Sequence, residues 1–366
     1  MPATTPTRRP LAAYCASRLV DNIVSMAALL PVILLAALVA AFLGIGRAHA
    51  EDIACNGVNL LDSWEKTAPD RIDRIEAEAA LVPNGTGTFW KIEKPGVPPS
   101  YLLGTMHVTD PRVLTMPKGA PEAFTAASTV IVESDEILDE KKAQVALFSD
   151  PSLTMFTDGS TIESYLDADQ KVILTEGLKA RGLPLATVAR MKPWMIASFV
   201  SLPPCELGRK AGGAVFLDQK LAQDAVSQGK TLKGLETIVE QIQALNDLPM
   251  AFHVSALVDT LKLGNLVEDA METTTELYLD GRIATIMPML KAASQTVEGS
   301  DSEQEAVAFE QRIVTDRNHV MATRARESLD TGNVFMAVGA LHLPGPEGVV
   351  ELLRKDGFTL TVMPRT

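Results

Sequence analysis

The pattern of apolar and polar positions predicts a chain that starts in helix and then alternates short strands with helices. Residues 51–80 have the spacing of an amphipathic helix, with four apolar residues facing inward: Leu60, Leu61, Trp64 and Ile72. Short apolar runs follow, and each is flanked by turns rich in Gly and Pro. These runs predict strands at residues 89–93, 100–105 and 129–132, with a short helix at 121–128 before the third strand.

The middle of the chain has mainly helical periodicity. Residues 136–330 form a series of helical segments, interrupted by one short predicted strand at 230–235. Strand-like patterning returns near the C-terminus, with a strand at 333–338, a helix at 346–355 and a final strand at 358–363. The helical segments are 137–149, 167–180, 184–190, 193–202, 213–228, 237–245, 250–264, 265–279, 283–293 and 303–329.

The two ends of this region repeat one unit. In each unit a strand runs into Gly-x-x-His, a turn containing Pro follows, and a helix and a second strand complete it. The motifs are Gly104–His107 and Gly339–His342. Such a crossover makes adjacent strands parallel and the connection right-handed. We therefore expect an α/β fold with a mixed, largely parallel sheet, forming a single domain over residues 51–366 with 136–330 as a large, mainly helical insertion.

The N-terminus predicts export. Arg8, Arg9 and Arg18 precede an apolar run from Met26 to Gly46, and the small-residue site Ala48-His49-Ala50 follows. These are the three parts of a secretory signal, so residues 1–50 are expected to be a signal peptide cleaved after Ala50. The run is long enough that an uncleaved membrane anchor is the alternative. Both interpretations place the rest of the chain in the periplasm or outside the cell, and membrane contact is expected only if this segment is uncleaved.

Charge excludes one class of partner. The formal net charge is −13, and loss of the first 50 residues, which carry four Arg and one Asp, makes the remainder more acidic still. Proteins that bind nucleic acid need a basic face for the phosphate backbone, so nucleic acid is not the expected partner. A hydrophobic content of 46% is enough for a folded core.

Two cysteines remain after the predicted cleavage. Cys55 and Cys205 form an even pair in an oxidising compartment, where disulfides persist. We predict that they are bonded to each other, with two free buried cysteines as the alternative.

Both motif histidines follow apolar strands, and the carboxyl ends of strands are where functional loops gather in parallel sheets. Neutral imidazole is the commonest protein metal ligand and a frequent general base. Glu133 directly follows the apolar run 129–132, so we expect it at the same edge of the sheet as His107 and His342. Two histidines and one carboxylate suit a divalent transition metal that activates water for hydrolysis.

Other hydrolytic and nucleotide-binding signatures are missing from the sequence. It has no Gly-x-Ser-x-Gly nucleophile elbow and no Gly-x-x-x-x-Gly-Lys-Ser/Thr loop. Metal-dependent hydrolysis is therefore the chemistry that the motifs favour.

Several segments together resemble the TraB/PrgY/GumN family. They are Tyr101–His107, Val132-Glu133, Phe216–Asp218, Gly234–Thr237 with Glu240-Gln241, Arg317-Asn318, and Ala337–His342 with Gly345–Gly348. The resemblance spans about Trp90 to Met363. It implies kinship with the TIKI metalloproteases, whose two Gly-x-x-His motifs are required for cleavage, and with the erythromycin-esterase and ChaN-like superfamily.

By this resemblance His107 and His342 are metal ligands, Glu133 is a ligand or general base, and Asp218, Glu236 and Arg317 line or stabilise the site. Arg112 is a further expected substrate contact. The metal is Zn, Mn, Co or Fe, and the expected activity is that of an exported hydrolase acting on a peptide or protein substrate. Two alternatives stay open: a non-catalytic protein that binds a peptide, haem or metal on the same fold, and a periplasmic interaction protein whose helical insertion is the working surface.

Overall fold

The computed structural model describes residues 55–295, apart from 140, 141, 143, 144 and 146–148, and residues 307–364. The predicted signal peptide or anchor at residues 1–50 lies outside the described residues. Within the described ranges no helix combines the length and apolar character needed to cross a membrane.

A six-stranded sheet forms the centre of the fold, and its strand order is β4-β3-β5-β2-β1-β6. Strands β4, β3, β5 and β2 are adjacent in this order and run parallel to one another. Strand β1 pairs antiparallel with both β2 and β6. This is the α/β fold with a mixed, largely parallel sheet that the sequence predicts. The strands are β1 Phe89–Lys94, β2 Val97–Thr105, β3 Thr129–Val132, β4 Thr231–Gly234, β5 Val334–Gly339 and β6 Thr359–Val362.

The two repeated units have parallel strands, but these strands are not neighbours. In the first unit β5 lies between β2 and β3, and in the second unit β2 and β1 lie between β5 and β6. The expectation of adjacent strands within each unit is therefore wrong. The cause is that β5, from the end of the chain, pairs with β2 on one side and β3 on the other, so that the two units interleave in one sheet.

Helices cover both faces of the sheet and form most of the segment between β3 and β5. The predicted first helix is divided in two, because Pro69 starts a new helix after the break at Ala68. The α-helices are α1 Leu60–Thr67, α2 Pro69–Ala80, α3 Ala120–Ala126, α4 Ala168–Ala180, α5 Leu185–Val188, α6 Pro193–Val200, α7 Pro204–Ala211, α8 Leu217–Ser227, α9 Ile238–Asn246, α10 Met250–Leu263, α11 Leu266–Leu279, α12 Ile283–Ser294, α13 Asp316–Thr331 and α14 Val349–Lys355.

Alternate residues of the strands supply two separate cores. Leu102 packs on one face of the sheet with residues of α13 and α14, and its neighbour Leu103 packs on the other face with residues of α3 and α8. Successive strand residues point to opposite faces, so strands buried on both faces are apolar throughout. This explains the continuous apolar run of β5, whose residues from Val334 to Val338 are all buried.

A disulfide bond joins Cys55 to Cys205, as the sequence predicts. It ties the start of the described chain to α7. The next residue of that helix, Glu206, is buried and accepts hydrogen bonds from the backbone N–H and the hydroxyl of Thr109, both at 2.8 Å. The disulfide thereby holds the helix that fixes the loop just after His107.

Candidate metal centre

Three neighbouring parallel strands deliver the predicted ligands to one edge of the sheet. β2 leads to His107, β5 leads to His342, and β3, on the far side of β5, leads to Glu133. In this register Thr105 lies opposite Gly339, so both motif loops leave the sheet at the same level. Oε1 of Glu133 lies 3.9 Å from Nε2 of His107 and 3.8 Å from Nε2 of His342.

The glycine of each motif is required by close approach. The backbone N–H of Gly339 donates to Oε1 of Glu133 at 2.7 Å, and a Cβ on Gly339 would lie 3.1 Å from that oxygen. A Cβ on Gly104 would lie 2.6 Å from Cδ1 of Leu343 and 3.1 Å from the Cα of Ala340. Gly104 therefore lets the second motif pack closely against β2. Gly339 leaves room for the carboxylate of Glu133 beside its own backbone N–H.

Glu133 is a buried, fully engaged carboxylate. Its Oε2 accepts from Nη2 of Arg317 at 2.8 Å and from Nε2 of Gln241 at 3.1 Å. Burial raises its pKa, but the charges of His342, His107 and Arg317, with the Gly339 hydrogen bond, outweigh burial and lower the pKa to about 2. The side chain is therefore ionised at neutral pH, which is the state that binds a cation.

His342 is held in one tautomer by Asn318. The amide Nδ2 of Asn318 donates to the carbonyl of Glu347 at 2.9 Å, which leaves Oδ1 as the acceptor facing the imidazole. Nδ1–H of His342 donates to that oxygen at 2.7 Å. Nε2, the nitrogen nearest Glu133, is then the one with the lone pair. Burial lowers the pKa of His342 to about 4 despite the nearby Glu133, so the ring is neutral.

His107 differs from His342 in exposure and in charge. Its side chain is 52% exposed, and its ring lies 5.2 Å from that of Phe216. Its Nε2 is 3.6 Å from Oδ2 of Asp218. Partial desolvation of the ring lowers its pKa, but Asp218 and Glu133 outweigh this effect and raise the pKa to about 9. The raised pKa reflects an excess of negative charge around Nε2, which a proton or a bound cation would neutralise.

One carboxylate oxygen of Asp218 accepts a hydrogen bond and the other does not. Oδ1 accepts from the hydroxyl of Thr105 at 2.8 Å. Oδ2 is buried and has no hydrogen-bond partner in the described part of the protein. A buried carboxylate oxygen without a hydrogen bond is costly, and this one has only the ion pair with Nε2 of His107, the imidazole nitrogen that also faces Glu133.

The donors present suit a divalent transition metal. Two ligands that each lie about 2.0–2.2 Å from one ion are at most about 4.4 Å apart, and both histidine-to-Glu133 separations fall within that limit. Oδ2 of Asp218, which has no hydrogen bond, is a further anionic donor next to His107. As placed in the structure, however, no group of three or more His, Cys, Asp or Glu side chains in the described ranges could hold a metal ion. Both separations are at the wide end of the permitted range, so the side chains would have to move closer together to bind one.

Arg317 forms ion pairs with two carboxylates, those of Glu133 and Glu236. Besides Glu133 it binds Glu236, with Nε 3.1 Å from both oxygens and Nη2 2.8 Å from Oε2. Glu236 therefore acts on the site through Arg317. Arg112 lies in the loop after His107, and its guanidinium is held by Asp110 and Glu272; its expected contact with substrate stays a prediction.

Sequence reasoning missed the roles of Asn318, Gln241 and Tyr278. Asn318 and Gln241 belong to segments that carry the family resemblance, so their positions were signalled although their contacts were not. Tyr278, in the helical insertion, donates its hydroxyl to the carbonyl of Gly104 at 2.9 Å. No motif marks it, because the contact depends on how α11 packs over the end of β2.

Replacing Asn318 with leucine is expected to weaken metal binding by about 10- to 100-fold, the usual cost of removing a group that orients a histidine ligand. Asn318→Asp keeps an acceptor for Nδ1–H and should lose much less. Zinc titration of the two variants measures the affinities. Nitrogen chemical shifts of the His342 ring should show Nδ1 protonated in the wild-type and Asn318→Asp proteins and a mixture of tautomers in Asn318→Leu. Equal zinc affinity in all three proteins would contradict this role.

Comparison with known proteins places the chain in a family. The model of the TraB/PrgY/gumN family matches residues 88–362, and the chain belongs to this family. Its relatives include Metalloprotease TIKI2 of Danio rerio, 25% identical over 321 residues, and Metalloprotease TIKI1 of Homo sapiens, 25% identical over 320 residues. Metalloprotease TIKI homolog of Nematostella vectensis is 24% identical over 319 residues.

These alignments cover about three quarters of this chain and between 61% and 66% of the relatives named. The chain thus spans less than two thirds of the length of the first of them. No solved structure matches the chain. Sequence comparison therefore establishes the family and shows that the chain has metalloprotease relatives. The chemistry of this chain has to be argued from the geometry of its site.

Proposed function

We propose that the protein is an exported, metal-dependent hydrolase that cleaves peptide bonds. The observation that carries the proposal is the approach of His107 and His342 to one oxygen of Glu133, with an oxygen of Asp218 that has no hydrogen bond lying 3.6 Å from Nε2 of His107. Metalloprotease relatives at about 25% identity support the same chemistry. The N-terminal pattern and the Cys55–Cys205 disulfide support a location in the periplasm or outside the cell.

His107, His342 and Glu133 would hold the ion. When bound, it would supply Lewis-acid activation of water and of the scissile carbonyl. A base with a pKa of about 2 has little tendency to accept a proton near neutral pH, so Glu133 suits a ligand better than a general base. Asn318 keeps Nε2 of His342 available, and Arg317, Gln241 and Gly339 hold Glu133 in place.

Digestion of a peptide library by the purified protein, supplied in turn with Zn²⁺, Mn²⁺, Co²⁺ and Fe²⁺, tests the proposal. We expect defined cleavage with at least one of the four metals and none after chelation. Glu133→Gln removes an anionic ligand and should lower kcat/KM by more than about 100-fold, since even the loss of a group that only orients a ligand costs about 10- to 100-fold. The control is His319→Ala, which removes an exposed histidine that pairs with the exposed Glu347. Peptides bound but left intact under every metal would refute hydrolysis and favour a binding protein.

A further inference from the structure

A cavity of about 240 Å³ adjoins the two motif histidines. Charged and imidazole side chains form one side of it, and apolar side chains from the motif loops and α12 form another. Its lining residues are Thr105, Met106, His107, Glu133, Thr274, Tyr278, Ile286, Arg317, Gly339, Ala340, Leu341 and His342. Because it opens beside the proposed ligands, the part of a substrate next to the reacting bond would occupy it.

Arg317 and Glu133, which both line this cavity, are engaged within the protein. Arg317 directs Nε and Nη2 at Glu236 and Glu133, and its Nη1 at the carbonyl of Ile313. Glu133 accepts from Arg317, Gln241 and Gly339. A substrate carboxylate would have to compete with two buried glutamates for the guanidinium, and a substrate cation would have to compete with Arg317 for Glu133.

The hydroxyl groups of the cavity are also engaged. Thr105 donates to Asp218 at 2.8 Å, Thr274 donates to the carbonyl of Ala270 at 2.7 Å, and Tyr278 donates to the carbonyl of Gly104 at 2.9 Å. Each of these protons is directed into the protein. These hydroxyl groups therefore have no free proton to donate to a substrate in the cavity.

Apolar side chains complete the surface. Met106 and Leu341 occupy the two x positions next to the motif histidines, and Ile286 reaches the cavity from α12. Ile286 and Ala340 are buried, and Met106 and Leu341 pack partly buried against the same core cluster. An apolar side chain placed here loses contact with water and meets carbon on several sides.

We propose that this cavity is a specificity subsite that takes one medium-sized apolar side chain of a peptide, of the size of leucine, isoleucine or methionine, next to the scissile bond. Met106, Ile286 and Leu341 are its specificity-determining residues. The proposal rests on the proposed peptidase function. The volume corresponds to about eight water molecules at ~30 Å³ each, which accommodates one such side chain and the reacting water.

The experiment compares pentapeptides that differ at one central residue, which is Leu, Met, Gly, Asp, Lys or Trp. With the metal-loaded protein, kcat/KM should be highest for Leu and Met and at least about 10-fold lower for Gly, since loss of one methylene in an apolar pocket already costs about 10- to 200-fold. Asp and Lys peptides should be cleaved more slowly still.

Met106→Ala and Leu341→Ala enlarge the subsite and should shift the optimum towards Trp. Phe199→Ala, which removes an exposed apolar side chain of α6, should leave the order unchanged.

A parallel measurement separates failure of the subsite from failure of the proposed function. Calorimetric binding of the same peptides to the protein needs no turnover. Leu peptides that bind tightly and lose affinity in Leu341→Ala, without any cleavage, would support the subsite and refute the peptidase. Cleavage or binding with equal preference for Gly, Asp and Leu would overturn the subsite, as would a preference for charged residues or the absence of any peptide binding.

Discussion

The double variant His107→Ala, His342→Ala is expected to be purified with almost no transition metal, whereas the wild-type protein carries about one ion per chain. These side chains are two of the three proposed ligands, and a single remaining carboxylate does not hold Zn²⁺ or Mn²⁺ against water. Elemental analysis of the purified proteins measures the difference. Added Zn²⁺ at about 100 times its Kd should stabilise the wild-type fold by ~2.7 kcal/mol and leave the double variant unaffected.

The control for this experiment is His319→Ala, because His319 is exposed and pairs with an exposed glutamate. It should retain its metal in full. Urea unfolding without metal distinguishes loss of ligands from loss of fold, since a double variant that unfolds cooperatively has kept its structure. Equal metal content in the wild type and the double variant would remove the basis for a metal-dependent enzyme.

The strand-end histidines could be predicted from the sequence because parallel topology determines where such ends lie. A strand that ends at Gly104 or Gly339 and leads to a helix delivers its next residues to the carboxyl edge of the sheet. Glu133 follows from the same reasoning, since it comes directly after β3. In the structure His107 and His342 each lie within 4 Å of Oε1 of Glu133, and the roles of all three side chains as ligands or catalytic groups stay predictions.

The order of the strands could not be predicted in this way. Both repeated units have the pattern of a crossover, but this pattern does not indicate that β5 lies between β2 and β3 and pairs with both. Partner choice depends on contacts between residues more than 200 positions apart, such as the bond from Val334 N–H to the hydroxyl of Ser100. The hydrogen-bond partners of Asn318 and Tyr278 could not be predicted either, because they depend on how the helices that carry these residues pack against the motif loops.

Arg317 illustrates how the site and the stability of the fold depend on one residue. Its side chain is 14% exposed, and the carboxylates of Glu133 and Glu236 that it binds are 7% and 4% exposed. Within the described residues, neither carboxylate forms an ion pair with a second arginine or lysine. Removing the guanidinium leaves two negative charges buried side by side, which is far more costly than losing a surface pair.

We therefore expect Arg317→Met to lower the free energy of unfolding by about 3–5 kcal/mol, measured by urea denaturation of the metal-free protein at pH 7. Arg317→Lys keeps one charge but cannot span both carboxylates, so its loss should be intermediate. The control is Arg324→Met on the same helix; its partner Glu240 is 44% exposed, and the cost should be about 1 kcal/mol or less.

The pH dependence of this effect has a defined sign. In the folded wild-type protein the pKa of Glu133 is lowered to about 2 from an ordinary value of 4.5. The stabilisation that comes from its ionised form is therefore fully present above about pH 5 and is lost as the pH falls from 4.5 towards 2. In Arg317→Met the pKa of Glu133 loses the lowering effect of the guanidinium, so Glu133 takes up a proton at a higher pH. The deficit relative to wild type should therefore be largest at neutral pH and should narrow on acidification. A deficit that stayed constant from pH 7 to pH 3 would mean that Arg317 stabilises the protein through packing rather than through the charges of Glu133 and Glu236.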